Sequence, residues 1–193
     1  MTLKDYILLK FKGTECLQLC RKLSILVIVT GRMRMMTFDE LKEEVQGASL
    51  VLVGIGEELS GSLENFYQAL GELLEKKDYF IVTLLDRAGL EAAGIASEQV
   101  TAPFSKGESQ ESWERYLHWL SFTLNQRLCV LELGVGFKNP EVIRFPFEKT
   151  CYFNQRSRYV RMNRTFPQLS AEIAERGVSI KRDPVDFFEK EAW

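Results

Sequence analysis

From residue 37 onward, short apolar runs alternate with stretches whose apolar residues recur every three or four positions. The runs at 49–53, 79–85, 100–102, 128–133, 158–162 and 178–180 are nearly continuous, as strands covered on both faces require. Between them, Leu63, Phe66, Tyr67, Leu70, Leu73 and Leu74 share one helical face over 63–74. Trp113, Tyr116, Leu117, Leu120 and Leu124 do the same over 113–124. Thr37-Phe38-Asp39-Glu40 has capping-box spacing and opens a short helix. Further helices are predicted at 140–152, kinked at Pro146, and at 167–175. Asp183-Pro184 sets a cap and a first-turn proline before a last helix.

Buried strands alternating with helices imply a parallel sheet covered on both sides. With right-handed crossovers, the expected fold is a Rossmann-like, doubly wound α/β domain with six parallel strands in the order 3-2-1-4-5-6. No second, smaller domain is expected. In that order strands 1 and 4 adjoin, and ligands lie at their carboxyl ends. Gly54 and Gly56 follow strand 1, and Gly134 and Gly136 follow strand 4. Residues 1–35 lack the periodicity and run into a Met-Arg-Met-Met cluster at 33–36. They read as a weakly ordered extension, with Met36 as the natural start and 36–193 as the domain. Removing 1–35 should then leave thermal stability nearly unchanged.

The 193 residues suit one domain with a real core. A net charge of −2 supplies no field for nucleic acid or an anionic membrane, so neither partner is expected. Arg156, Arg158, Arg161 and Arg164 straddle strand 5 and read as a solvated rim. Cys16, Cys20, Cys129 and Cys151 form no CxxC pair, and Cys129 sits in an apolar strand. Neither a disulfide scaffold nor a zinc site is expected. The run 23–29 is too short to span a bilayer. It follows Arg21 and Lys22 as a secretory signal would, but Arg32, Met33, Arg34 and Met35 stand where a small-residue cleavage site belongs. A cytoplasmic location is expected.

A Gly-x-Gly turn lets backbone amides approach a pyrophosphate, with a helix dipole behind them. Leu59 occupies the place of the third glycine in the dehydrogenase fingerprint. Glu57 and Glu58 suit a helix N-terminus but repel a pyrophosphate at the same point. The turn therefore has two readings, a phosphate cradle or a packing glycine. Histidine occurs once, as His118 between Leu117 and Trp119 on a helix surface. Without a second histidine, Ser-His-Asp and Cys-His chemistry lacks a base. Glu57, Glu58, Asp86 and Glu132 are the carboxylates near the expected crevice, and Glu132 has two alternative roles, capping the sheet edge or pairing with Arg144. No residue cluster matches metal ligation. Trp113, Tyr116 and Trp119 fall at helical spacing and read as core, so no stacking platform for bases is expected.

The chain resembles the sirtuin Rossmann core, in particular short sirtuin-like proteins of bacteria, from about residue 50 to 188. The resemblance rests on Leu131-Glu132-Leu133-Gly134-Val135-Gly136-Phe137-Lys138-Asn139-Pro140 with Val142-Ile143-Arg144-Phe145-Pro146-Phe147, similar to the strand-4 turn and following helix of one bacterial branch. Val53-Gly54-Ile55-Gly56 is similar to that family's diphosphate turn, and Arg161-Met162-Asn163 to its strand-5 end. The resemblance implies NAD or ADP-ribose held by Gly54, Ile55, Gly56, Glu57, Thr83, Asp86, Gly134, Val135, Gly136 and Asn163. The departures are as informative. Too little chain separates Gly56 from Tyr79 for the family's cofactor loop and small domain. Thr83-Leu84-Leu85-Asp86-Arg87 lacks the asparagine of the nicotinamide pocket, leaving Asp86 as the acidic match. Ala102-Pro103-Phe104-Ser105 replaces the catalytic His-Gly, and the stretch 105–112 has no room for the zinc module.

These departures imply a pseudoenzyme, with no catalytic residues, that binds NAD or ADP-ribose at the strand 1/strand 4 crevice and holds no zinc. Two alternatives stand beside it. One is an interaction or dimerisation module with an empty nucleotide site, exposing Ile55, Leu59, Leu84, Leu85 and Phe104 to a homodimer or other protein partner. The other is a residual NAD-consuming transferase or hydrolase using Asp86 or Glu57.

Overall fold

The computed structural model describes residues 36–191, so the expected extension 1–35, with Cys16 and Cys20, lies outside the described residues. The first helix begins where its sequence signal stands. Thr37 N donates to Glu40 Oε2 at 3.0 Å while Thr37 Oγ1 accepts from Glu40 N at 3.3 Å, closing the capping box on α1 (Phe38–Gly47). There follow β1 (Leu50–Ile55), α2 (Leu63–Leu73), β2 (Asp78–Thr83), α3 (Ala88–Ala92), β3 (Val100–Thr101) and α4 (Gln110–Ser121). Then come β4 (Leu128–Leu133), α5 (Arg144–Phe153), β5 (Arg158–Met162), β6 (Gly177–Ile180) and α6 (Pro184–Glu191). The six strands form one sheet in the order β3-β2-β1-β4-β5-β6, and every pairing is parallel. This is the expected single-domain, Rossmann-like order.

Strand alternation divides the core into two layers. Val51, Val53 and Ile55 join Leu131, Leu133, Val160 and Met162 in the layer covered by α1, α2, α3 and α6. Leu52, Val130 and Tyr159 join Trp113 and Tyr116 of α4, Phe147 and Cys151 of α5, and Ile143 just before it, in the other. On α6, Asp183 Oδ1 accepts from Val185 N at 3.0 Å, and Pro184 occupies the first helical position, where its missing N–H is harmless.

β1 does not stop at Val53; Gly54 and Ile55 stay in both ladders, opposite Val82 and Glu132 and opposite Thr83 and Leu133. Ile55 is therefore fully buried rather than exposed. The helix expected over 140–152 starts only at Arg144, which puts Pro146 in the first turn, where no amide is needed and no kink arises. No helix spans 167–175; only a 3₁₀ turn forms at Ala174–Arg176. Side chains claim that loop's carbonyls instead: Ser179 Oγ donates to Pro167 O at 2.5 Å, and Arg161 donates to Gln168 O. The short helix α3 carries too few residues to show a period. Asp86 Oδ1 starts it by accepting from Ala88 N at 2.9 Å.

Candidate functional site

At the carboxyl ends of β1 and β4 the two glycine turns touch backbone to backbone. Gly56 N donates to Leu133 O at 2.9 Å, and Glu58 N donates to Gly134 O at 2.8 Å. A β-carbon at Gly56 would collide with the backbone of Gly134 and Val135, so only glycine allows this approach. Gly134 holds φ +64°, the left-handed region, and turns the chain away from the strand. Asn163, at the end of β5, ties the neighbouring loops together. Its Oδ1 accepts from Thr165 N at 2.7 Å and Phe166 N at 2.6 Å. Its Nδ2 donates to Val135 O at 3.2 Å and to Glu58 Oε2 at 2.9 Å.

A β-carbon on Gly136 would lie 2.5 Å from Glu58 Oε1 and 2.9 Å from Glu57 Oε1. Two carboxylates thus reach over Gly136 into a space that glycine alone leaves open. Glu57 Oε2 is screened from water there with no hydrogen-bond partner among the described residues, a costly arrangement for a polar oxygen. The strap 57–61 is held at its far end too, where Ser60 Oγ donates to Asp183 Oδ2 at 2.6 Å. Anionic oxygens therefore sit at the crevice, but the chain supplies them itself.

Of the residues expected at the site, Gly56, Glu57, Gly134, Val135, Gly136 and Asn163 come together, with Glu58 added. Gly54 does not join them. Its missing β-carbon makes room for α5, since a side chain there would meet Ile143 and would lie 2.7 Å from Phe147. Ile55 points into the opposite core layer. Thr83 ends β2 fully buried, and its Oγ1 accepts from Leu85 N at 3.0 Å. Asp86 is exposed, and its Oδ1 accepts from Ala88 N just before α3.

Beneath the β4 turn lies a buried ion cluster whose extent the sequence concealed. Glu132 Oε1 accepts from Arg144 Nε at 3.3 Å, fulfilling the expected pairing. Glu132 Oε2 accepts from Arg161 at 2.9 Å and from the Tyr159 hydroxyl, and Glu148 also pairs with Arg161. Arg161, expected on a solvated rim, is 2% exposed. Arg161 shares a face of β5 with Tyr159, two residues before it, and stands opposite Glu132 in the ladder, away from the Val160 and Met162 side. Burial opposes the Arg161 charge, but Glu132, Tyr159 and Glu148 beside it hold the guanidinium protonated well above its ordinary range. Burial, and then Glu132, push the Tyr159 hydroxyl well above its usual value. Arg144 extends this cluster to the site, donating to Val135 O at 3.3 Å and Phe166 O at 3.1 Å.

A second polar cluster lies at the β2 and β3 ends, where the side chain of Glu108 is 1% exposed. It takes Arg87 at 3.1 Å and the Ser112 hydroxyl, all satisfied within the protein. His118 stays on the α4 surface, with its ring 4.9 Å from that of Phe122. A cavity of about 360 Å³ lined by Met36, Glu40, Glu44, Arg127, Arg156 and Arg158 lies at the opposite pole, by the amino ends of β1, β4 and β5. Among the described residues no group of three or more His, Cys, Asp or Glu could hold a metal ion. No helix among them is long and apolar enough to cross a membrane.

Fold and crevice together define a single-domain, Rossmann-like α/β protein with paired glycine turns at its topological switch point. No family model matches the chain. Over 70 residues it is 26% identical to a protein ADP-ribosyltransferase of Staphylococcus aureus strain Mu50. That stretch is 36% of this chain and 22% of the relative's length.

Proposed function

We propose that the β1/β4 crevice binds ADP-ribose, free or as part of NAD, and that the chain acts as a sirtuin-like nucleotide-binding pseudoenzyme rather than a deacylase. One observation carries this reading: the Glu58 carboxylate rests over Gly136, held by Asn163, in a space only glycine keeps open. It stands in for the anionic oxygens of a diphosphate, which the same residues fit by displacing it. The name of the staphylococcal relative, a protein ADP-ribosyltransferase, makes ADP-ribose the first ligand to test. The place of His118, exposed in the last turn of α4, supports the absence of sirtuin-type deacylation.

ADP-ribose should raise the melting temperature of the folded protein, since a ligand of the native state stabilises it. Glu58→Ser removes the competing charge and should tighten binding about tenfold. No thermal shift with ADP-ribose or NAD in either protein would overturn the proposal. Nicotinamide release from NAD, abolished in Asp86→Asn, would favour the transferase or hydrolase reading instead. The interaction-module reading has its own observation. Phe122, Leu124, Tyr152 and Phe153 are each about half exposed or more, and Asn154 ties the two segments together through Thr123 O at 2.8 Å and Gln126 O at 3.0 Å. Concentration-dependent sedimentation that Phe153→Ser abolishes would favour it.

A further inference from the structure

We propose that Ser60 and Asp183 are positioning residues that hold the strap 57–61 shut over both glycine turns. Nucleotide enters only when this contact, outside the crevice, breaks; this deepens the ADP-ribose reading and rests on it. The strap covers more of the crevice than its carboxylates do. A β-carbon at Gly134 would lie 2.8 Å from the carbonyl oxygen of Glu58 and 2.5 Å from Leu59 Cδ2. The Glu58 amide is itself bonded to Gly134 O at 2.8 Å. Rotating the glutamate side chains therefore clears Gly136 but leaves Gly134 under backbone. A ligand that reaches both glycines has to lift residues 57–60 together.

The far end of the strap carries the tie that holds it down. Ser60 is exposed, yet its Oγ donates to Asp183 Oδ2 at 2.6 Å. Asp183 is only 4% exposed, and its other carboxylate oxygen accepts from Val185 N at 3.0 Å where α6 begins. A carboxylate so short of water makes a charge-assisted bond with the hydroxyl, stronger than an exposed serine ordinarily forms. Breaking it leaves a buried oxygen without its donor. Leu59 adds to the closed side by packing against the core layer that α2 and α6 cover. The crevice end pulls the other way. With the strap down, Glu57 Oε2 is screened from water and has no partner among the described residues; lifting the strap returns it to solvent. Gly61, at φ +102°, ends the strap in the left-handed region. Closure thus sets a cost beside the glycines against a tie at α6. While the tie holds, apparent affinity falls with the fraction of molecules that stand open.

The test is a calorimetric titration of the whole protein, Ser60→Ala and Ser60→Thr with ADP-ribose, with amide hydrogen exchange followed by NMR on the same samples. Ser60→Ala removes the tie and leaves the glycines, Glu57 and Glu58 in place. It should bind ADP-ribose about tenfold tighter, and without ligand its Glu58 amide should exchange about tenfold faster. Ser60→Thr keeps the hydroxyl and should behave as the unaltered protein does. In the unaltered protein, saturating ADP-ribose should speed exchange at the Glu58 amide, the reverse of the protection a ligand gives an amide it covers. If ADP-ribose binds while that amide stays protected, or Ser60→Ala binds no tighter, the latch is wrong and the crevice reading survives. If ADP-ribose binds neither the unaltered protein nor Ser60→Ala, both fall. The ligand-induced exchange is read on the unaltered protein, so misfolding of a variant cannot mask the answer.

Discussion

Two glycines at the crevice have opposite surroundings, and their substitution separates packing from binding. At Gly56 a β-carbon meets the backbone of Gly134 and Val135, which cannot give way cheaply. Gly56→Ala should therefore lower stability by roughly 2 kcal/mol or more in urea unfolding. At Gly136 the neighbours are the ends of two flexible glutamates. Gly136→Ala should fold almost normally and lose ADP-ribose binding; a stability loss equal to that of Gly56→Ala would contradict this distinction. Glu132 sits deeper. Its removal in Glu132→Ala strands Arg144 and Arg161 without their shared carboxylate, and should cost about 3–5 kcal/mol in the same measurement. The Glu132–Arg144 pair was legible from sequence because both residues flank the same glycine turn. Arg161 was not, since four nearby arginines look alike until the pleat assigns their directions. Nor was the role of Glu58, whose partner Asn163 is far away in sequence.

Among the elements, those with a local signal came through and those fixed by distant contacts did not. The capping box of α1 and the Asp183-Pro184 start of α6 are written in adjacent residues and form as expected. Thr37→Ala should accordingly lower stability by about 1 kcal/mol, readable as a drop in melting temperature. The failure over 167–175 has a different cause, because its carbonyls go to Ser179 and Arg161 from neighbouring strands. Gly54 misled for a related reason. A glycine at a strand end looks like a turn, but this one extends β1 and admits α5. Trp113 and Tyr116 of α4 are core, as their helical spacing indicated. Phe137 and Phe166 lie on separate loops with no shared period, and only the fold brings their rings together.

For the molecule as a whole, the alternation of apolar runs and helical faces was enough to give the strand order and the position of the crevice. Burial also sets a pH response. Burial, reinforced by Glu44, pushes the Cys129 thiol up to about 12 from its ordinary 9.0, and the Tyr159 hydroxyl is likewise raised. The folded protein keeps these protons while the unfolded chain releases them. Their contribution is therefore whole below about pH 9 and is lost as pH rises toward 12. Unfolding in urea should accordingly become easier from pH 9 upward, and a flat profile to pH 11 would contradict the burial of these groups. Nucleotide entry at the carboxyl ends of β1 and β4 is what we propose for the molecule as a whole. An ADP-ribose titration followed by backbone amide resonances tests it most directly. Shifts are expected at Gly56, Gly134, Gly136 and Asn163. Unmoved spectra, or shifts confined to Arg127 and Arg156 at the opposite pole, would contradict it.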